Sequence, residues 1–267
     1  MAVRDESWRQ GTPCWVDLSV DDPQRAGEFY AGLFGWQLAD SGPDAGGYLM
    51  AMLNGRAAAG IGPKPTGVQM PAAWTTYLAA DDADDIHAKV VAAGGQPFGD
   101  PFDVLDVGRM FVAADPAGAV FGVWQARKHT GFGIYNEPGA CTWNEVHTRD
   151  YQATKDFYAS VFGFGYHEMG DGQQMRYAVF SLPDAKEGES VGGVNDLTLM
   201  PGDTPPHWLG WFSVADCDVT VQNASRSGGA VRMPPSDSPV GRMAILAGPE
   251  GESFGVIDPS RAQAAGS

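Results

Sequence analysis

The chain has 267 residues, 43% of them hydrophobic and 11% aromatic, which suits a packed core in one large domain or two ordinary ones. Its 33 Asp and Glu against 17 Lys and Arg give a formal charge of -16, which repels phosphate backbones and anionic lipid surfaces, so neither nucleic acid nor membrane is an expected partner. Three cysteines without a CxxC spacing exclude a disulfide framework and a thiolate zinc site, and with no apolar leader or membrane-length stretch a cytoplasmic location is expected.

In chain order, residues 15–20 alternate, with Val16, Leu18 and Val20 on one face and Trp15, Asp17 and Ser19 on the other, as in a half-buried strand. Asp22-Pro23 then supplies an N-cap and a proline at the first helical position. Ala26, Phe29, Tyr30, Leu33 and Phe34 form the apolar stripe of a helix that ends at Gly35. Strands are expected at 48–53 and 57–61, then at 74–80, followed by a helix over 84–93 that stops at Gly94-Gly95. Strands at 109–114 and 120–125 complete the first half.

The second half repeats the first. A shift of 128 residues places Trp15, Asp22, Phe29, Tyr30, Phe34 and Gly35 on Trp143, Asp150, Phe157, Tyr158, Phe162 and Gly163. After a short insertion near 184–188 the shift becomes 133, and Gly108-Arg109-Met110 falls on Gly241-Arg242-Met243. The chain is therefore read as a duplication: a domain at 11–126, a linker at 127–138 and a domain at 139–259, each of two βαβββ-like units.

The pieces VDDPxRAxxFYxxLFGW (20–36), AAGG (92–95) and DPAGAVFGVW (115–124), with their second-domain counterparts, resemble the glyoxalase/bleomycin resistance/extradiol dioxygenase group, the vicinal oxygen chelate superfamily. Within it they are most similar to a tandem-domain actinobacterial branch labelled as hydroxylases or glyoxalase-like antigens. The resemblance covers 13–258 and implies an α+β fold: two tandem domains, each a cupped mixed β-sheet with helices on the outside. It also implies metal ligands on the first and last strands of each unit. Here those positions carry Trp15, Thr75, Trp143 and Leu209, and Gly60, Gly122, Gly193 and Gly255, which are poor or impossible donors to a divalent cation. No metal or other cofactor is therefore expected. Glycine at all four last-strand positions implies either a ligand in the space of the missing carboxylate or close packing against the first-strand tryptophan.

Strand alternation puts Trp15, Asp17, Ser19, Thr75 and Tyr77 on the pocket face of the first domain. The second domain presents Trp143, Glu145, His147, Leu209 and Trp211. Glu145 and His147, two apart on one strand, are the candidates for acid–base chemistry, or for a displaced metal with His207 as third ligand. Arg109 and Arg242 recur at a strand start and are candidates to receive a ligand oxyanion, against the plainer reading of ion pairs in an acidic chain. Trp74 and Trp208, with Trp15, Trp143 and Trp211, suit either an aromatic ligand wall or core. His87, His129 and His167 carry no clear role. The expected protein binds or sequesters an apolar or aromatic small molecule without metal, as a monomer or homodimer. The alternative is a lyase, isomerase or oxygenase working through Glu145 and His147.

Overall fold

A computed structural model describes residues 1–170, 172–173, 175–199 and 202–263. Four helices follow the apolar stripes and caps read from the sequence: α1 Pro23–Phe34, α2 Ala83–Ala92, α3 Tyr151–Phe162 and α4 Cys217–Arg226. Each starts at an aspartate (Asp22, Asp82, Asp150, Asp216) whose carboxylate accepts a first-turn backbone N–H. Gly35 and Gly163, at φ 73° and 76°, end α1 and α3 in the left-handed conformation that glycine adopts without a Cβ penalty.

Each domain is one mixed sheet of two units. In the first, the order is Gln37–Asp40, Leu49–Leu53, Arg56–Pro63, Pro13–Val20, Ala73–Ala79, Val120–Ala126, Gly108–Ala114 and Gln96–Pro97, with Phe102–Val104 pairing beside them. The second runs Gly165–Met169, Tyr177–Ser181, Gly192–Asp196, Cys141–Thr148, His207–Ser213, Ser253–Asp258, Gly241–Ala247 and Ala230–Ser238. Units join where their first strands pair antiparallel, so Trp15 stands opposite Tyr77 and Asp17 opposite Thr75. The same pairing sets Trp143 against Trp211, Glu145 against Leu209, and His147 against His207. First and last strands of a unit run parallel, which brings Gly60 beside Asp17, Gly122 beside Tyr77, Gly193 beside Glu145 and Gly255 beside Trp211.

The helices lie outside the cups, and there the two domains cover one another, α1 against α4 and α2 against α3. One apolar cluster joins Phe29, Tyr30 and Phe34 to Phe212, Val221 and Phe254; a second joins Ile86, Val90 and Phe121 to Phe157, Tyr158 and Trp208. Burying both helix faces against a second sheet gives the core a scale that one unit could not reach.

The segment expected as a linker is packed rather than loose. Ile134–Tyr135 pairs with Ala2–Val3, Phe132 N donates to Cys14 O at 2.8 Å, and Gly133 N donates to Ala57 O at 2.8 Å. Phe132 and Ile134 are buried. Among the described residues, no helix is long and apolar enough to cross a membrane.

Candidate functional site

In the N-terminal cup the hydrogen bonds have a fixed direction. Trp15 Nε1, which can only donate, gives its hydrogen to the Tyr48 hydroxyl at 3.1 Å. The single Tyr48 hydrogen is then directed to Asp17, which also accepts from Tyr77. Burial lifts the Asp17 carboxyl to about 7, against the opposing pull of the two tyrosine hydroxyls. Asp17, Ser19, Tyr48 and Tyr77 line a cavity of about 360 Å³, with Lys64 and Thr66 also on its wall. The Lys64 ammonium is engaged by Asp21 at 2.8 Å and Glu250 at 3.4 Å. Trp15 and Thr75 share the sheet face with Asp17 but do not line that cavity.

The other side of this cup is closed from within the chain. The His129 ring meets Trp15 edge-on at 4.4 Å, and Trp124 Nε1 donates to His129 O at 2.9 Å. The buried His129 Nε2 has no hydrogen-bond partner, and burial pushes the imidazole down to about 4.

The glycines at the last-strand positions make room for aromatic rings. A Cβ on Gly60 would lie 1.6 Å from the Tyr48 hydroxyl, and one on Gly122 would lie 2.2 Å from the Tyr77 ring. In the second domain Gly193 meets Tyr177 at 1.9 Å and Gly255 meets Trp211 at 2.3 Å. Close packing is therefore the reason for glycine, but the partners are Tyr48, Tyr77, Tyr177 and Trp211 rather than the tryptophans expected there, Trp15 and Trp143. Side chains at these positions do not fit a divalent cation, because rings fill the space where a family carboxylate would reach. Among the described residues no group of three or more His, Cys, Asp or Glu is placed to hold a metal ion, and Glu145, His147 and His207 form no such group.

The C-terminal cup repeats the relay and then fills itself. Trp143 Nε1 donates to the Tyr177 hydroxyl at 2.8 Å, which donates to Glu145 Oε2 at 2.8 Å. His147 Nε2 sits 2.7 Å from Glu145 Oε1, and Trp211 donates to the same carboxylate. Burial alone would raise Glu145, but His147, Tyr177 and Trp211 outweigh it and hold the carboxyl below its ordinary range. Glu145 is 7% and His147 5% exposed, so this pair is closed to solvent. The His207 ring lies 4.8 Å from that of His147, and burial, with the charge of His147, pushes His207 down to about 4.

Arg109 and Arg242 turn away from both cups. Arg109 makes two bonds to Asp84 on α2 and a third to Asp103; Arg242 makes two to Asp218 on α4 and a third to Asp237. Each guanidinium thus ties a strand to a helix, which is the ion-pair reading of the two weighed from the sequence rather than the ligand-oxyanion one. Trp74 and Trp208 are core on the helix side, donating to Tyr30 at 3.1 Å and Tyr158 at 2.8 Å. Sequence reasoning missed Tyr48 and Tyr177, although each opens the corresponding stretch of its repeat, as YLM and YAV.

The glyoxalase/bleomycin resistance protein/dioxygenase superfamily pattern matches residues 14–123 and 142–256. The Mycobacterium tuberculosis (strain CDC 1551 / Oshkosh) protein named "Putative glyoxylase CFP32" is 42% identical over 268 residues, covering 98% of this chain and 100% of the relative. The anthracycline biosynthesis protein DnrV of Streptomyces peucetius is 37% identical, covering 93% of each chain. The fold is similar to that of the Mn(II)-bound glyoxalase from Novosphingobium aromaticivorans, with a TM-score of 0.62, 18% identity and coverage of 96% of this chain and 86% of that one. It is also similar to 2,2',3-trihydroxybiphenyl 1,2-dioxygenase from Sphingomonas wittichii strain RW1, with a TM-score of 0.63, 14% identity and coverage of 94% and 91%. Two family matches in tandem, on two cups built from paired βαβββ units, make this chain a member of the glyoxalase/bleomycin resistance protein/dioxygenase superfamily.

Proposed function

We propose that this chain is a small-molecule-binding member of the superfamily that works without a metal at the family's positions, and that its ligand pocket is the N-terminal cup. The observation that carries this reading is the cavity of about 360 Å³ that ends on the Asp17 carboxylate while the C-terminal carboxylate is sealed by its own histidine. That volume lies at the small end of ordinary ligand sites, and its tyrosine and proline wall suits a compact aromatic compound. A relative named for anthracycline biosynthesis supports an aromatic ligand. The helix faces of the two domains cover one another within the chain, which supports a monomer. Three free, buried cysteines support a cytoplasmic location.

The test is a thermal-shift screen of aromatic metabolites with Asp17→Asn and Tyr48→Phe beside the wild type, together with elemental analysis of the purified protein. Compounds that stabilise the wild type and lose their effect in both variants support the proposal. Near-stoichiometric metal, or no compound that stabilises, overturns it.

A second reading, conversion by proton transfer, is favoured by the Asp17 carboxyl standing at about 7 on an open cavity, where it can both take and give a proton near neutrality. The enzyme alternative through Glu145 and His147 instead requires their 2.7 Å contact to open for substrate. Exchange of a bound compound's acidic C–H in D2O, lost in Asp17→Asn but kept in His147→Ala, supports the first site; the reverse pattern supports the second.

A further inference from the structure

The two cups are copies of one design, so each is the internal comparison for the other. Asp17 and Glu145 hold the same place on the first strand, each beside a last-strand glycine. Each carboxylate receives a tyrosine hydroxyl whose own oxygen is occupied by an indole N–H, from Trp15 in one cup and Trp143 in the other. Each also receives a second aromatic donor, Tyr77 or Trp211, from the facing strand. After these bonds, what remains of either carboxylate in its ionised form is acceptor only.

The copies differ in what meets that remaining acceptor. In the C-terminal cup it is an imidazole nitrogen: His147 Nε2 lies 2.7 Å from Glu145 Oε1, with His207 opposite it on the facing strand. At the same register the N-terminal cup has Ser19 opposite Ala73. A hydroxymethyl and a methyl stand where the other domain has two rings, and the cavity lined by Asp17 and Ser19 is there. From this difference we infer that the N-terminal cup takes a compact ligand with a basic nitrogen, a protonated amine or an imidazole-like heterocycle, whose N–H donates to Asp17 as His147 donates to Glu145. The inference rests on the N-terminal cup being the ligand pocket, as proposed above.

The surroundings agree with this. The phenolic and cationic donors on the wall are already engaged, Tyr48 and Tyr77 on Asp17 and Lys64 on Asp21 and Glu250, which leaves an anionic ligand only the neutral hydroxyls of Ser19 and Thr66. A ligand that brings only acceptors would leave the remaining acceptor position of the ionised carboxylate buried against it without a partner, which is the costly arrangement; one that brings N–H⁺ completes a charge-assisted pair.

The experiment uses three probes of one size, benzylamine, benzyl alcohol and benzoate, titrated into the full chain by calorimetry, with binding located by amide shifts around Asp17. The expected result is that benzylamine binds at least about tenfold more tightly than benzyl alcohol, and that benzoate does not bind. Ser19→His, which supplies the occupant the other domain already has, is expected to abolish benzylamine binding while the chain stays folded; Asp17→Asn is expected to remove the preference for the amine. If benzyl alcohol or benzoate binds at Asp17 as tightly as the amine, or Ser19→His leaves amine binding intact, the inference is overturned and the pocket assignment survives. If none of the three binds, the inference again falls. The pocket assignment falls with it only when the wider aromatic panel also produces no amide shifts in the N-terminal cup.

Discussion

Tyr30 and Glu252 lie 222 residues apart in different domains and share a buried hydrogen bond of 2.8 Å. Trp74 Nε1 donates to the same hydroxyl at 3.1 Å, so the only hydrogen of Tyr30 is committed to Glu252. The other half of the molecule repeats the arrangement, with Trp208 donating to Tyr158, which faces Asp115 across the domain boundary. An indole that fixes a tyrosine, which then serves a carboxyl, thus occurs on the helix side as well as in both cups. Tyr30→Phe leaves the Trp74 indole donor without its partner and takes one hydrogen bond from the buried Glu252 carboxyl, whose other oxygen still accepts from Glu250 N. The expected cost is about 2–4 kcal/mol, read as a fall in Tm of roughly 5–10 °C by calorimetry.

Gly122→Ala tests the packing that replaced the family's carboxylates. Its new Cβ would stand 2.2 Å from the Tyr77 ring, which is itself only 6% exposed and bonded to Asp17. The ring must tilt, at a cost of about 1–3 kcal/mol, and ligand binding at Asp17 should weaken with it. Gly32→Ala is the matched control: it meets nothing within 4 Å and lies on α1, where alanine is the better helix former. It should stabilise the chain by up to about 1 kcal/mol.

Asp17 makes stability depend on pH in a defined direction. In the folded chain its carboxyl titrates at about 7, whereas in the unfolded chain it ionises near 4. Between those values the folded state holds a proton that the unfolded state has lost, so stability falls as pH rises across the window and levels off above it. Asp17→Asn removes this contribution. The Tm difference, variant minus wild type, should grow from pH 4 to pH 7 by a few degrees and then stay constant; a difference that is flat across the window would contradict the burial argument.

The repeat and the helix caps made most of the fold legible, because duplication, capping aspartates and apolar stripes are local signals. The edge strands Gln37–Asp40, Gly165–Met169 and Ala230–Ser238 were not legible. They are largely exposed, show no apolar alternation, and one contains Pro234-Pro235, which only an edge strand tolerates. Asp17, Ser19 and Tyr77, which period-two alternation puts on one face, line the cavity of the N-terminal cup. Alternation could not reveal that Glu145 is closed by His147, since that depends on reach between side chains, nor that Tyr48 and Tyr177 cross from a neighbouring strand to fill the glycine positions. The same gap left Arg109 and Arg242 open between a ligand contact and an ion pair: recurrence in both copies says that a residue matters, not which face it uses.

His129 gives stability a pH dependence of the opposite sign to that of Asp17. Its imidazole is held down to about 4 in the folded chain by burial against Trp15 and Trp124, and an unfolded histidine titrates near 6.5. As pH falls through that interval the unfolded state gains a proton the folded state refuses, so stability is lost on acidification and the loss is complete near pH 4. His207 contributes in the same sense from the other domain. His129→Phe keeps an aromatic ring on Trp15 and removes a buried nitrogen that has no hydrogen-bond partner. Denaturant unfolding should show little change for this variant at pH 8 and a clear gain over the wild type at pH 5. The Asp17 contribution runs the other way over an overlapping range, so it offsets part of the loss on acidification, and the wild type keeps the net acid sensitivity of two depressed histidines against one raised carboxyl. Only the pair of single variants, bending in opposite directions, separates the two buried groups; parallel curves would mean that neither group titrates as its burial requires.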